Sequence, residues 1–532
     1  MHAYLPTRRD FLASSAIASA VFASPWSVRA DTPAGDRPRR FHACIASKVI
    51  AAEPSLLRLV RDAGVTDLWQ AAYFYGHWYE TPEALARARK VVEDAGLRWH
   101  LINVPLGHPG DSLGDPAGET PLSPPGRWRM AERPDGSRYS GTSLHAPATE
   151  ENVEALRQLA ALQPDTVFLD DDFRLATGPG VIGGCYCAEH RARFLQLHGY
   201  AEGRWEELLE EVRTRRLTPL LRAWVDFTCD ELTASFRAQQ AAIPGAALGN
   251  MIMYLGAEKA GIRLPDYAAT PFRVGELMFD DNSFGTVKGK TDELFSVLFH
   301  RRFAQPQLAY SETTAYPHDK LSAPNMAAKL VISTIADVRH TMFMSGLSPI
   351  PAAHWDTLAP AMREQARLHE RLIGHRLAGP LKHYWGEAAR YAGDDRPYSL
   401  FLALGIPFEV ADTPPAEGMT FLCDQDAQHL PAATLGTCTG VCRPGVPGAP
   451  AHLRQMDESL DALWALKREL TQGAPDFPYI MEESPAVCAW YPSAHGALVW
   501  NLQTETTRLT LRHAAQDIPL TLPALAATFV PL

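Results

Sequence analysis

Residues 165–175 read DTVFLDDDFRL: a short apolar run, Val167-Phe168-Leu169, breaks directly into Asp170-Asp171-Asp172 and, two residues on, Arg174. A short apolar run of this kind is the pattern of a strand covered on both faces, as in a parallel sheet. Before it, ATEENVEALRQLAAL (148–162) is amphipathic, with Thr149 as cap and acids in its first turn. After it, a long helical region runs from about residue 188 to 243.

The same alternation extends in both directions. FHACIAS (41–47), VTDLWQAAYFYG (65–76) and LRWHLINVPLG (97–107) read as strands one to three, separated by PSLLRLVRDAG and TPEALARARKVVEDAG, each with a Gly stop. AALGNMIMYLG (246–256), FRVGELMFDD (272–281), PQLAYSETT (306–314) and RHTMFMSGL (339–347) supply strands five to eight, and WDTLAPAMREQARLHERLIG closes the series. Eight strand–helix units over residues 40–375 predict an α/β chain whose first large domain is a (β/α)8 TIM barrel with enlarged loops. A doubly wound open sheet is the alternative, but no Gly-rich phosphate loop follows strand one. Residues 376–480 read as a small α/β domain. Residues 481–532 alternate apolar and polar between turn signals, as in a small antiparallel β domain.

A chain of 532 residues implies two or three domains. The net charge of −11 excludes the basic surface that nucleic acid needs. Residues 1–30 carry Arg8-Arg9, a modest apolar run and Val28-Arg29-Ala30, the layout of a twin-arginine export signal cut after Ala30. The expected destination is the periplasm or the medium, with no membrane contact after signal removal. That route carries folded proteins, so a metal could be acquired before export. The eight cysteines are unevenly spaced and do not form a disulfide framework.

Catalytic groups of such barrels sit at the C-terminal ends of strands. Three places carry carboxylates: strand four ends in Asp170-Asp171-Asp172, strand six ends in Asp280-Asp281, and strand seven ends in Ser311-Glu312. Consecutive buried acids repel one another and need a cation or polyol. A second constellation, Cys185-x-Cys187-x2-His190, has two thiolates and an imidazole close enough for zinc, one ligand short of four.

In order of features, the chain resembles the family 42 glycoside hydrolases, β-galactosidases with a barrel, an α/β trimerisation domain and a small β domain. Their Asn-Glu pair ends strand four, followed by a C-x-C-x2-C zinc motif; LDDDFRL and CYCAEH occupy those places here. The resemblance implies Asp172 as the acid, with Asp171 its near rival, and Glu312 as nucleophile or base. It also implies His145 as fourth ligand of a single structural zinc beside Cys185, Cys187 and His190, and possible homo-oligomerisation. Strands four and seven face each other across the mouth, as a pair of carboxyl groups cleaving a carbohydrate must. Asp170, Arg174, Tyr75, Trp78 and Asp281 are the expected substrate-binding residues.

The acid/base glutamate is an aspartate here and the sugar-binding asparagine is absent, so the implied relation is distant. Two other functions fit the same residues: a carbohydrate-binding relative without catalysis, and a metal-dependent sugar-processing enzyme using the aspartate cluster.

Overall fold

The computed structural model describes residues 39–106, 124–170, 173–275, 278–430, 438–473 and 475–532. The export segment and the pair Asp171-Asp172 lie outside them.

Eight parallel strands close into a barrel: β1 (Arg40–Cys44), β2 (Asp67–Phe74), β3 (Arg98–Val104), β4 (Thr166–Leu169), β5 (Ala247–Met253), β6 (Phe272–Gly275), β7 (Ala309–Thr314) and β8 (His340–Met344). Closure is made by β1, which pairs with β8 through Phe41↔Thr341 and with β2 through Ala43↔Leu68. The intervening helices form where the spacing predicts. Helix Pro82–Asp94 starts with Pro at its first turn, and the Thr81 side chain accepts from Ala84 N–H at 3.2 Å. Its Leu85 and Val92 face the barrel and are buried.

Strand six is shorter than its sequence texture suggests. Its described residues are Phe272–Gly275; Met278 and Phe279 belong to no strand, and Asp280 caps the short helix Asp281–Phe284 in a reciprocal box with Ser283. The two acids read as the strand's end therefore belong to the next helix.

Beyond the barrel, Leu381–Tyr384, Phe408–Ala411, Met419–Leu422, Thr439–Cys442 and Arg454–Gln455 form a parallel five-stranded sheet. Two three-stranded antiparallel sheets follow between Tyr479 and Pro531. Among the described residues, no helix is long and apolar enough to cross a membrane.

The barrel interior is filled in layers. At mid-height Trp69, Phe168 and Tyr310 pack ring to ring, Trp69–Phe168 at 4.9 Å and Phe168–Tyr310 at 5.0 Å. The strand beginnings hold a polar layer. Trp69 Nε1 donates to His42 Nδ1 at 3.0 Å, and His42 Nε2 lies 2.9 Å from His340 Nδ1. His340 Nε2 lies 3.1 Å from Gln307 O. Because indole only donates, this chain sets both tautomers: each histidine accepts at Nδ1 and donates from Nε2, and both rings are neutral.

Burial holds His42 at about 3, against the opposing pull of Asp67, and holds His340 well below its ordinary range. Burial likewise lowers His383 to about 3 and His300 to about 4. In each case the unfolded chain binds the proton and the fold does not, so stability falls as pH drops below about 6.5. For His42, His383 and His300 the cost is about 2 kcal/mol each at pH 5. Two buried acids act the other way: burial raises Glu293 to about 7 and Asp426 to about 6. Their relief is complete near pH 4.3, where unfolded carboxylates also protonate. Urea midpoints are expected to decline steadily from pH 6 downward, because four rings outweigh two acids. A midpoint unchanged between pH 7 and 4 would contradict this account.

Candidate active site

Three side chains meet inside the barrel, one from just past β4, one from within β6 and one from within β7. Asp170 follows β4 directly, its N–H held by Asn103 O at 2.7 Å as the pairing with β3 runs out. Arg273 is the second residue of β6, and Glu312 the fourth of β7. The Arg273 guanidinium lies between the two carboxylates, in ion-pair contact with Asp170 on one side and 2.8 Å from Glu312 Oε2 on the other. All three are buried, at 4%, 0% and 4% exposure for Asp170, Arg273 and Glu312. Charges this deep require partners, and here one permanent cation serves two acids.

The floor beneath Arg273 is soft and polarisable. Phe168 lies under the guanidinium at 5.1 Å, and the sulfurs of Met251 and Met342 sit 3.0 Å from its nitrogens. Thr314 Oγ1 donates to Glu312 Oε1. Among the described residues the polar partner of Glu312 Oε2 is the Arg273 guanidinium, and a carboxylate oxygen so held keeps a further lone pair. Cys44, at the end of β1, shares this chamber. Burial and then Asp170 push its thiol up, so it stays protonated.

The other expected binding residues occupy different surroundings. Arg174 is buried, and its charge acts on Tyr139. Asp281 accepts from Ser322 N–H and from Asn325 Nδ2, both at 2.8 Å, and so starts helix Ala323–Ile335. Trp78 packs edge-on against Tyr73 at 5.1 Å within an apolar cluster that includes Trp128. Tyr75 is buried just past β2 with a left-handed backbone, φ 54°. That conformation costs about 1 kcal/mol or more for a bulky residue, and such strain collects at functional sites.

Next to the β4 segment lies the sulfur–imidazole cluster. The ligand atoms of His145, Cys187 and His190 all fall within 4.8 Å of one another. Cys187 Sγ is 3.2 Å from His190 Nδ1 and 3.4 Å from His145 Nε2. Tetrahedral zinc with ordinary bond lengths separates sulfur and nitrogen ligands by about 3.5 Å, so the spacing fits. Cys185 packs with Cys187 and approaches His190. Each histidine turns its other nitrogen to a carboxylate: His190 Nε2 to Glu231 at 2.8 Å, His145 Nδ1 to Glu189 at 3.4 Å. That second layer is what orients imidazole toward a metal.

No protein-family model matches this sequence, and no curated protein does. Solved structures do. The β-galactosidase of Bacillus circulans sp. alkalophilus matches with a TM-score of 0.58 at 10% identity, over 92% of this chain and 98% of that one. The enzyme of the psychrophilic Marinomonas ef1 gives 0.56 at 9% identity, over 92% and 99%. That of Rahnella sp. R3 gives 0.55 at 11% identity, over 92% and 98%. This chain shares the fold of these three proteins. The likeness takes in the barrel and the sheets that follow it, since it spans nearly the whole of each chain.

Arg273 went unread in the sequence. Its signal was a charged residue inside FRVG, a four-residue strand that is otherwise apolar and buried.

Proposed function

We propose that this chain is an exported glycoside hydrolase cleaving an O-glycosidic bond with two carboxyl groups. The observation that carries the reading is Glu312, a buried acid on β7 held by the Arg273 guanidinium, with Asp170 on that cation's other side. The shared β-galactosidase fold supports it. Asp172, two residues past Asp170, supplies the proton to the departing oxygen. Glu312 attacks the anomeric carbon, directly or through water, and Arg273 holds it in place while Asp170 balances that cation. The test is a panel of aryl glycosides of different sugars. Release of the aryl group from at least one, abolished in Glu312→Gln, is the expected result; inertness across the panel would favour a sugar-binding role without catalysis.

The cysteine–histidine cluster is proposed to hold one structural zinc through Cys185, Cys187, His190 and His145, with Glu231 and Glu189 orienting the rings. The metal's work there is to tie chain segments together, apart from the bond-breaking. Elemental analysis of purified protein should give about one zinc per chain, falling well below half in Cys187→Ser. Metal-free wild-type protein would end the assignment.

Export by the twin-arginine route is part of the same proposal. Replacing Arg8 and Arg9 together by lysine should leave the full-length precursor inside the cell. Unchanged appearance of the shorter chain outside would refute it.

A further inference from the structure

A second constellation lies at the opposite end of the barrel from Glu312. Helix Val287–His300 ends at Arg301, helix Ala323–Ile335 ends beside Asp337, and residues 374–377 lead from the last barrel helix toward Leu381–Tyr384. Between them is a cavity of about 650 Å³ whose far wall is Glu409 and Val410 of the five-stranded sheet.

Positive charge is in excess there. Arg301, Arg302 and Arg376 line the cavity with His375, against two carboxylates, Asp337 and Glu409. Both acids are already engaged. Asp337 takes Arg339 Nε at 2.7 Å and His369 Nε2 at 2.9 Å, and Glu409 takes Lys382 Nζ at 3.1 Å. Arg301 is committed to the helix ends, donating to Asp337 O at 3.0 Å and Ala304 O at 2.6 Å. Arg302 is bound to Asp412 and to Val410 O. Arg376 differs: it is exposed and, among the described residues, has neither an ion pair nor a hydrogen bond. Its charge instead works against that of Arg301. His375 is fixed through Nδ1 to Ser493 Oγ at 2.8 Å, which leaves its other nitrogen for a ligand.

We propose that this cavity binds a small oxyanion, a phosphate, sulfate or carboxylate group, either free or carried on a sugar, with Arg376 as its principal ligand. A guanidinium presents a planar fork that matches such groups with two parallel hydrogen bonds. An anion there relieves the repulsion between Arg301 and Arg376. The volume is that of a small-molecule site, with room for a monosaccharide around the charged group.

The experiment is calorimetric titration of the full chain with sodium phosphate, sodium sulfate and sodium glucuronate at constant ionic strength, with glucose as the neutral arm. Saturable binding of at least one oxyanion and none of glucose is expected. Arg376→Ala should weaken it by about tenfold or more. Lys90→Ala removes the same charge from an exposed helix elsewhere and should change nothing. Binding of phosphate or sulfate alone identifies a free inorganic ion, and preference for glucuronate identifies an acidic sugar. Absence of saturable heat from all three, or equal dissociation constants for the parent and Arg376→Ala, overturns the proposal.

Discussion

Glu312→Gln should fold normally and lose turnover by about 10³-fold or more, on activated aryl and natural glycosides alike. The amide has nearly the shape of the acid it replaces, so the contact with Thr314 and the packing around β7 survive. What disappears is the ability to attack or to take a proton. The matching experiment is Asp172→Asn. An activated aryl leaving group needs little protonation, so this variant should keep much of its rate on aryl substrates and lose it on natural ones. Circular dichroism on both variants separates lost chemistry from lost fold. Near-normal turnover in Glu312→Gln would move the role to strand six. Of the acids that follow that strand in sequence, Asp280 already accepts from Ser283 N–H at 2.8 Å, which makes Glu276 the candidate.

Arg273→Met should destabilise the protein by about 3–5 kcal/mol, because it strands two buried carboxylates facing each other without their cation. The size of the loss should depend on pH. Burial and mutual repulsion raise the folded-state titration of the stranded acids above the unfolded value. The deficit is therefore full at neutral pH and shrinks as pH falls through the raised value. Adding Glu312→Gln removes one of the stranded charges and should restore part of the stability. Denaturant titrations of the parent, both single variants and the double variant form a cycle that measures the coupling directly. A deficit below about 1 kcal/mol at pH 8, equal at pH 5, would mean that Arg273 merely packs.

The barrel was legible because parallel strands covered on both faces read as apolar runs, TVFL in β4 and the middle of β5 among them. What misled was texture. Leu277-Met278-Phe279 prolongs the apolar reading of β6 past Gly275, so the Asp280 cap looked like a strand-end acid. The site was legible only in part. Strand-end acids announce themselves by position, but their partner Arg273 sits on another strand, 103 residues from Asp170. Glu231 and Glu189 were hidden for the opposite reason, as ordinary acids on helices until the fold sets them against His190 and His145. The polar layer at the strand beginnings had a faint signal, a lone histidine inside each of RFHAC, RWHLINV and HTMFM.

His145 and Cys187 are 42 residues apart, and Asp170 lies between them in the chain. One ion bound to both would staple that segment into a ring. For a ring of this size the unfolded chain gives up about 4 kcal/mol of conformational freedom by the polymer estimate for a covalent cross-link. The stretch that carries Asp170–Asp172 would then be tethered at both ends, upstream by β4 and downstream by the ion. Loss of the ion would lengthen that tether, so a metal-site variant should lower activity as well as stability if the proposed role of Asp172 holds.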